Sequence, residues 1–225
     1  MRSAESESDK IYDELIAAHT IMRRGVDLMR AALKHAPATA GEVDSCVGVG
    51  RWLIEFVHSH QRREEEVLWR PLAQASPPDV VELHDLSVQH VAIDRELDGL
   101  ARRLDRLEEL SAVAASPETR AMAEAALAAL ESAAVNISDH LDEEEALLKA
   151  LLALLDDPVV RTLRAAMARS APSARPDLVL GLMSDPTPTA GYASMLNSIP
   201  LSTRALRPLL IARYHSRKRR LGLVA

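Results

Sequence analysis

Two stretches of this sequence set a histidine four residues before a glutamate: His60–Glu64 and His140–Glu144. Residues four apart on a helix share a face, one turn above the other. Such pairs are commonplace on surfaces. Here the first pair continues an apolar stripe, Leu53, Phe56, His60, Glu64, Val67, which turns it inward. A carboxylate buried without a counter-charge costs on the order of several kcal/mol. The chemistry these residue types offer is cation binding. Imidazole and carboxylate without sulfur suit iron, manganese or zinc rather than copper(I) or an iron–sulfur cluster.

Two further histidines sit in apolar stripes. His19 lies in Ile11, Leu15, His19, Met22, Val26, Met29, Leu33, and His90 in Leu83, Leu86, His90, Ile93, Leu97, Leu100, Leu104, Leu107. One histidine in a stripe is ordinarily a satisfied core residue. Four imidazoles and two carboxylates facing one interior are different, because without cations their burial is prohibitive. Six side chains are too many for one ion with an open position. They fit two ions bridged by both carboxylates, the inward Glu/His logic of di-iron bundles.

The elements that must position these residues are four long helices with apolar residues alternating by threes and fours. The first spans about residues 8–36 and ends at Pro37-Ala-Thr-Ala-Gly41. The second spans about 42–74, its start blurred by Gly48 and Gly50. Ser76-Pro77-Pro78-Asp79 opens the third, to about Ala114, and Ser116-Pro117-Glu118 opens the fourth, to about Leu155. In the fourth, Leu130, Ala134, Ile137, Leu141, Glu144, Leu148 and Leu151 point inward, with His140 on the flank. Short connections predict an all-α, antiparallel up-down four-helix bundle over residues 8–155. Residues 156–225, opened by Asp157-Pro158 and rich in proline, predict a basic helical extension packed on the bundle.

Composition narrows the class. Hydrophobic residues make up 48% but aromatics only 3%, which favours helix over sheet. The single cysteine, Cys46, excludes an internal disulfide, and it reads as an inert thiol before a sensing one. The polar N-terminus lacks a signal peptide's apolar core, and no apolar run approaches the ~18 residues of a spanning helix. These features read as a soluble cytoplasmic protein with no membrane partner. Net charge is −6, yet the chain after Asp185 carries seven cations and no acid, leaving −13 for residues 1–185. The simple expectation is a tail folded on an acidic body. No aromatic interleaving supports nucleic-acid binding, and His215 with Arg217-Lys218-Arg219-Arg220 reads as a solvated end.

The order His19, His60-x-x-x-Glu64, His90, His140-x-x-x-Glu144 resembles the H–HxxxE–H–HxxxE pattern of hemerythrin-like, HHE cation-binding proteins. The resemblance implies two iron ions with an oxo or hydroxo bridge. It would give His19 and His60 to one iron, His90 and His140 to the other, and Glu64 and Glu144 to both. The chain departs from the oxygen carriers of that family. Where those place a second helix-three histidine, four residues from the first, stand Leu86 and Asp94. His84 lies about 240° around the helix from His90. The last carboxylate is Glu144 at the fourth position, with Glu145 at the fifth. A site one histidine short is open and asymmetric. It favours redox turnover of dioxygen or peroxide, oxidase- or catalase-like, with a reduced flavin-type cofactor as donor whose phosphate the basic tail could hold. The alternative is a non-catalytic module that binds or senses oxygen, nitric oxide or iron. Tyr12, one heptad before His19, could donate a hydrogen bond near the metals or simply fill the core. His58, Glu65, Glu66, Glu143 and Glu145 read as flanks.

Overall fold

The computed structural model describes residues 6–113, 115–169 and 175–223, and every regular element among them is helical. Helix α1, Glu7–His35, starts at a capping box in which Ser6 and Asp9 satisfy each other's backbone N–H groups. Helix α2, Ala40–Arg63, starts at a second capping box, Thr39 with Glu42, two residues before the expected start at about 42. Gly50 serves a close approach instead: a Cβ there would stand 2.5 Å from Leu104 Cδ1.

The expected second helix to residue 74 is interrupted. After α2 comes a π turn, Glu64–Leu68, and then α3, Trp69–Ala75. The Trp69 N–H reaches back five residues to the Glu64 carbonyl. Pro71 supplies a reason: it has no N–H, and its ring crowds the carbonyl four residues back, so a wider turn before it relieves the clash. The extra residue shifts the inward face by one. Val67 is half-buried, whereas Leu68 and Trp69 are buried.

A 3-10 turn, Pro77–Asp79, precedes α4, Val80–Glu109, which is shorter than the expected third helix. Its expected last residue, Ala114, lies outside the described residues. Ser116 caps α5, Pro117–Leu152, by accepting from the Thr119 N–H. On α5 the stripe steps by three after Leu130, so Ala133 is buried and Ala134 only half-buried.

Helices α1, α2, α4 and α5 form a ring in which α1 touches α2 and α5, and α4 touches α2 and α5. Paired residues rise along one helix as they fall along its neighbour. Ser8, Arg23 and Arg30 of α1 bond Leu152, Asp142 and Glu131 of α5, and Gln89 and Glu96 of α4 bond His140 and Ser132. Two separate apolar clusters fill the interior. The longer contains Met22, Phe56, Ile93 and Ile137; the shorter contains Leu15, Leu68, Leu86 and Leu148. The six polar residues singled out above lie between them.

Helix α6, Asp157–Arg169, closes the shorter cluster with Val160, Leu163 and Met167. The later helices are α7, Pro176–Ser184, α8, Tyr192–Ser198, α9, Leu201–Ala205, and α10, Arg207–Arg220. Of these, α7 and α8 pack on α1, and α10 packs on α7 and α2. A Cβ at Gly181 would stand 2.1 Å from Tyr214 Cγ, so glycine is what allows α7 to meet α10. The expected solvated end is not solvated at its start. Arg217 is buried with Nη2 3.0 Å from Asp177, and Lys218 Nζ is 2.8 Å from Asp185, which also accepts from the Tyr214 hydroxyl. The partners of these cations lie in and just after α7, rather than in the acidic bundle. Among the described residues no helix is long and apolar enough to cross a membrane.

Candidate metal centre

The four ring helices and the π turn after α2 bring His19, His60, Glu64, His90, His140 and Glu144 into one layer, each side chain at most 6% exposed. Their ligand atoms converge in two groups: His19, His60, Glu64 and Glu144, and then Glu64, His90 and His140. Glu64 belongs to both. His60 Nε2 lies 2.5 Å from Glu64 Oε1, and Glu144 Oε2 lies 3.4 Å from His19 Nε2 and 3.6 Å from His140 Nε2. The Nε2 atoms of His19 and His60 are 3.0 Å apart, as are those of His90 and His140. Both oxygens of Glu64 and of Glu144 are buried without a hydrogen-bond partner.

The outer ring nitrogens explain which way the imidazoles face. His19 Nδ1 lies 2.9 Å from Glu145 Oε1, and Arg23 holds that same oxygen at 2.7 Å. His90 Nδ1 lies 3.0 Å from Glu65 Oε1. His140 Nδ1 lies 2.8 Å from Gln89 Oε1, while the Gln89 amide donates to Glu143 at 2.7 Å. Each outer oxygen accepts, so each of these Nδ1 atoms donates, and each Nε2 presents a lone pair inward. His60 differs, because its Nδ1 is buried without a partner. Glu65, Glu145 and, through Gln89, Glu143 are therefore more than the solvated flanks the sequence suggests. Helical position alone hides this, since Glu65 and Glu145 each neighbour a site residue in sequence yet reach an imidazole on another helix, and Glu143 bears on His140 only through Gln89 of α4.

Electrostatics state the same requirement. Burial pulls the imidazoles of His19, His60 and His90 below their usual range and takes His140 down to about 2, with its neighbouring imidazoles adding to the shift. Burial pushes Glu64 up to about 8 and Glu144 well above the usual carboxylate range, with the charge of Glu64 adding to the shift of Glu144. The layer disfavours both imidazolium and carboxylate as isolated ions. Two lone pairs facing each other at 3.0 Å, beside buried carboxylate oxygens with no donor, are what a divalent or trivalent cation resolves. The donor set thus fits metal.

The remaining expectations resolve individually. Leu86 is buried in the shorter apolar cluster, His84 is exposed, and Asp94 Oδ1 lies 3.2 Å from His58 Nε2. None joins the converging groups. Tyr12 is half-buried against the shorter cluster, its hydroxyl pushed up by burial and by the charges of Glu145 and Asp13. None of the six residues is hydrogen-bonded to it among the described residues. Trp69 stacks on His90 with ring centroids 6.1 Å apart. Cys46 is fully buried and its thiol is pushed up to about 12, which keeps it inert.

Two cavities reach the layer. One of about 320 Å³ lies between α2 and α4 and is lined by Gln61, Glu65, His90 and Asp94. Another, of about 370 Å³, touches His60 from the α1–α2 side. No curated protein and no solved structure matches the chain. Residues 10–152 match the hemerythrin HHE cation-binding domain, a stretch that holds all six converging side chains and well over half of the sequence, and the chain belongs to that family.

Proposed function

We propose that the chain is a non-haem di-iron oxidoreductase acting on dioxygen or hydrogen peroxide, oxidase- or catalase-like. The observation that carries the reading is the facing pair of bare Nε2 atoms beside four buried, unpartnered carboxylate oxygens. Family membership adds metal binding, typically of iron. His19 and His60 would hold one ion and His90 and His140 the other, with Glu64 and Glu144 shared. Iron held there would supply electron exchange with dioxygen or peroxide.

The chain's own residues set the conditions. Leu15, Leu68, Leu86 and Leu148 on one side and Met22, Phe56, Ile93 and Ile137 on the other keep bulk water from the layer. Leu86 offers no donor where the oxygen carriers place a histidine, which leaves the His90–His140 side short of a ligand and open to a small molecule. Glu65, 41% exposed, joins His90 Nδ1 to solvent and can hold a proton there. A reduced flavin-type cofactor remains the proposed electron donor. Arg217 and Lys218 are already paired with Asp177 and Asp185, so phosphate contact by the tail would fall to other cations.

The test is iron-loaded protein mixed with hydrogen peroxide while peroxide and evolved oxygen are followed together. Sustained turnover, lost in His60→Ala, supports the proposal. A stable spectral change without turnover would instead support the non-catalytic binder of oxygen, nitric oxide or iron.

A further inference from the structure

The cavity that touches His60 is only half built by the bundle. Its inner wall includes Phe56, His60 and Arg63, and its outer wall includes Val179 of α7, Met195 of α8 and Ile199 beyond it. The outer wall thus comes from chain beyond the matched residues 10–152. Most of the lining is apolar, yet Arg63 in it lacks a counter-charge and His60 has a ring nitrogen without a partner. The Arg63 Nε donates to the Ser59 carbonyl at 3.0 Å, but no carboxylate lies within ion-pair distance of its half-buried guanidinium among the described residues. Glu14, also in the wall, is engaged by Arg164 at 2.6 Å. His60 turns Nε2 towards Glu64 and leaves Nδ1 buried and unpartnered.

A desolvated guanidinium favours a planar anion that accepts two parallel N–H bonds. An imidazole N–H left over asks for an acceptor. Apolar walls around such a pair ask for a hydrocarbon body. We propose that this cavity binds a small carboxylate with an apolar body, its head on Arg63 beside His60 and its body along Phe56, Met195 and Ile199. A cationic amine would meet Arg63 with repulsion, and a neutral alcohol would leave it without a counter-charge. The cavity and Arg63 belong to the chain whatever its metal does, so the proposal stands apart from the redox reading. It also gives the C-terminal helices a role, because they make the wall.

The experiment titrates octanoate into the full-length, metal-loaded protein by calorimetry, with octanol and octylamine as comparators of equal length. The expected result is saturable single-site binding of octanoate, about tenfold or more tighter than octanol, with octylamine weaker still. Arg63→Gln should bring octanoate down to the level of octanol, and Arg63→Lys should keep part of the preference. Val179→Trp fills the cavity from the outer wall without touching Arg63 and should weaken octanoate and octanol alike. Equal binding of all three probes, no saturable octanoate binding, unchanged octanoate binding in Arg63→Gln, or none of the expected loss in Val179→Trp would each overturn the proposal.

Discussion

The two imidazole pairs of the centre have the same inner spacing and different outer support. His90 and His140 are both held from behind, by Glu65 and Gln89, so both present lone pairs to each other. His19 is held by Glu145, but His60 has no partner at Nδ1 and its ring forms part of a cavity wall. His60 can therefore carry its proton on either nitrogen. In the metal-free protein it can donate from Nε2 to His19, whereas the other pair has no such escape. One half of the site is locked for metal, and the other is adjustable and borders a cavity.

The largest effect is expected from the residue common to both halves. Glu64→Ala should empty the whole centre, and elemental analysis should find metal near zero. Removing the lock comes next. Gln89→Leu should cost metal affinity roughly 10–100-fold, the usual price of an outer hydrogen bond to a ligand histidine. Competition with a chelator measures it, and the loss should fall on one ion of the two. Glu145→Ala acts on the adjustable half and should cost only about tenfold, at the low end of the same range, because His60 can change tautomer in compensation. Equal losses in the two variants would break the comparison.

Acid sharpens it further. The folded-state values of the histidines lie below the ordinary 6.5, with His140 at about 2, so their contribution to stability is present above 6.5 and lost as pH falls below it. The displaced Glu64 works in the opposite sense: its contribution is present below 4.5 and lost as pH rises to about 8. Metal-free protein should thus lose helical signal on acidification below 6.5. Metal addition at neutral pH should release protons from the carboxylates, and the Glu64 share should shrink as pH passes about 8. Circular dichroism and calorimetry in buffers of different ionisation enthalpy read these two. The smallest effect is expected from Tyr12→Phe, which should leave metal content unchanged because its hydroxyl touches none of the six residues.

Much of this was legible in the sequence. The stripes through His19 and His90 are periodic, and every residue in them is buried. Periodicity failed where the backbone changed its own period: the π turn at Glu64 moved burial from Val67 to Leu68 and Trp69. It was silent on contacts between distant segments. Nothing near His140 announces Gln89, and nothing near Arg217 announces Asp177, forty residues earlier. The cavity wall contributed by α7 and α8 belongs to the same class, since loops and helix packing, rather than any local motif, bring it to His60.

The most direct test of the account is iron per chain in protein reconstituted anaerobically, measured together with Mössbauer spectroscopy on the parent and on Gln89→Leu. Two irons per chain in distinguishable environments, with only one perturbed by the substitution, is the predicted result. A single iron, or two irons shifted alike by Gln89→Leu, would contradict a centre built from one locked and one adjustable half.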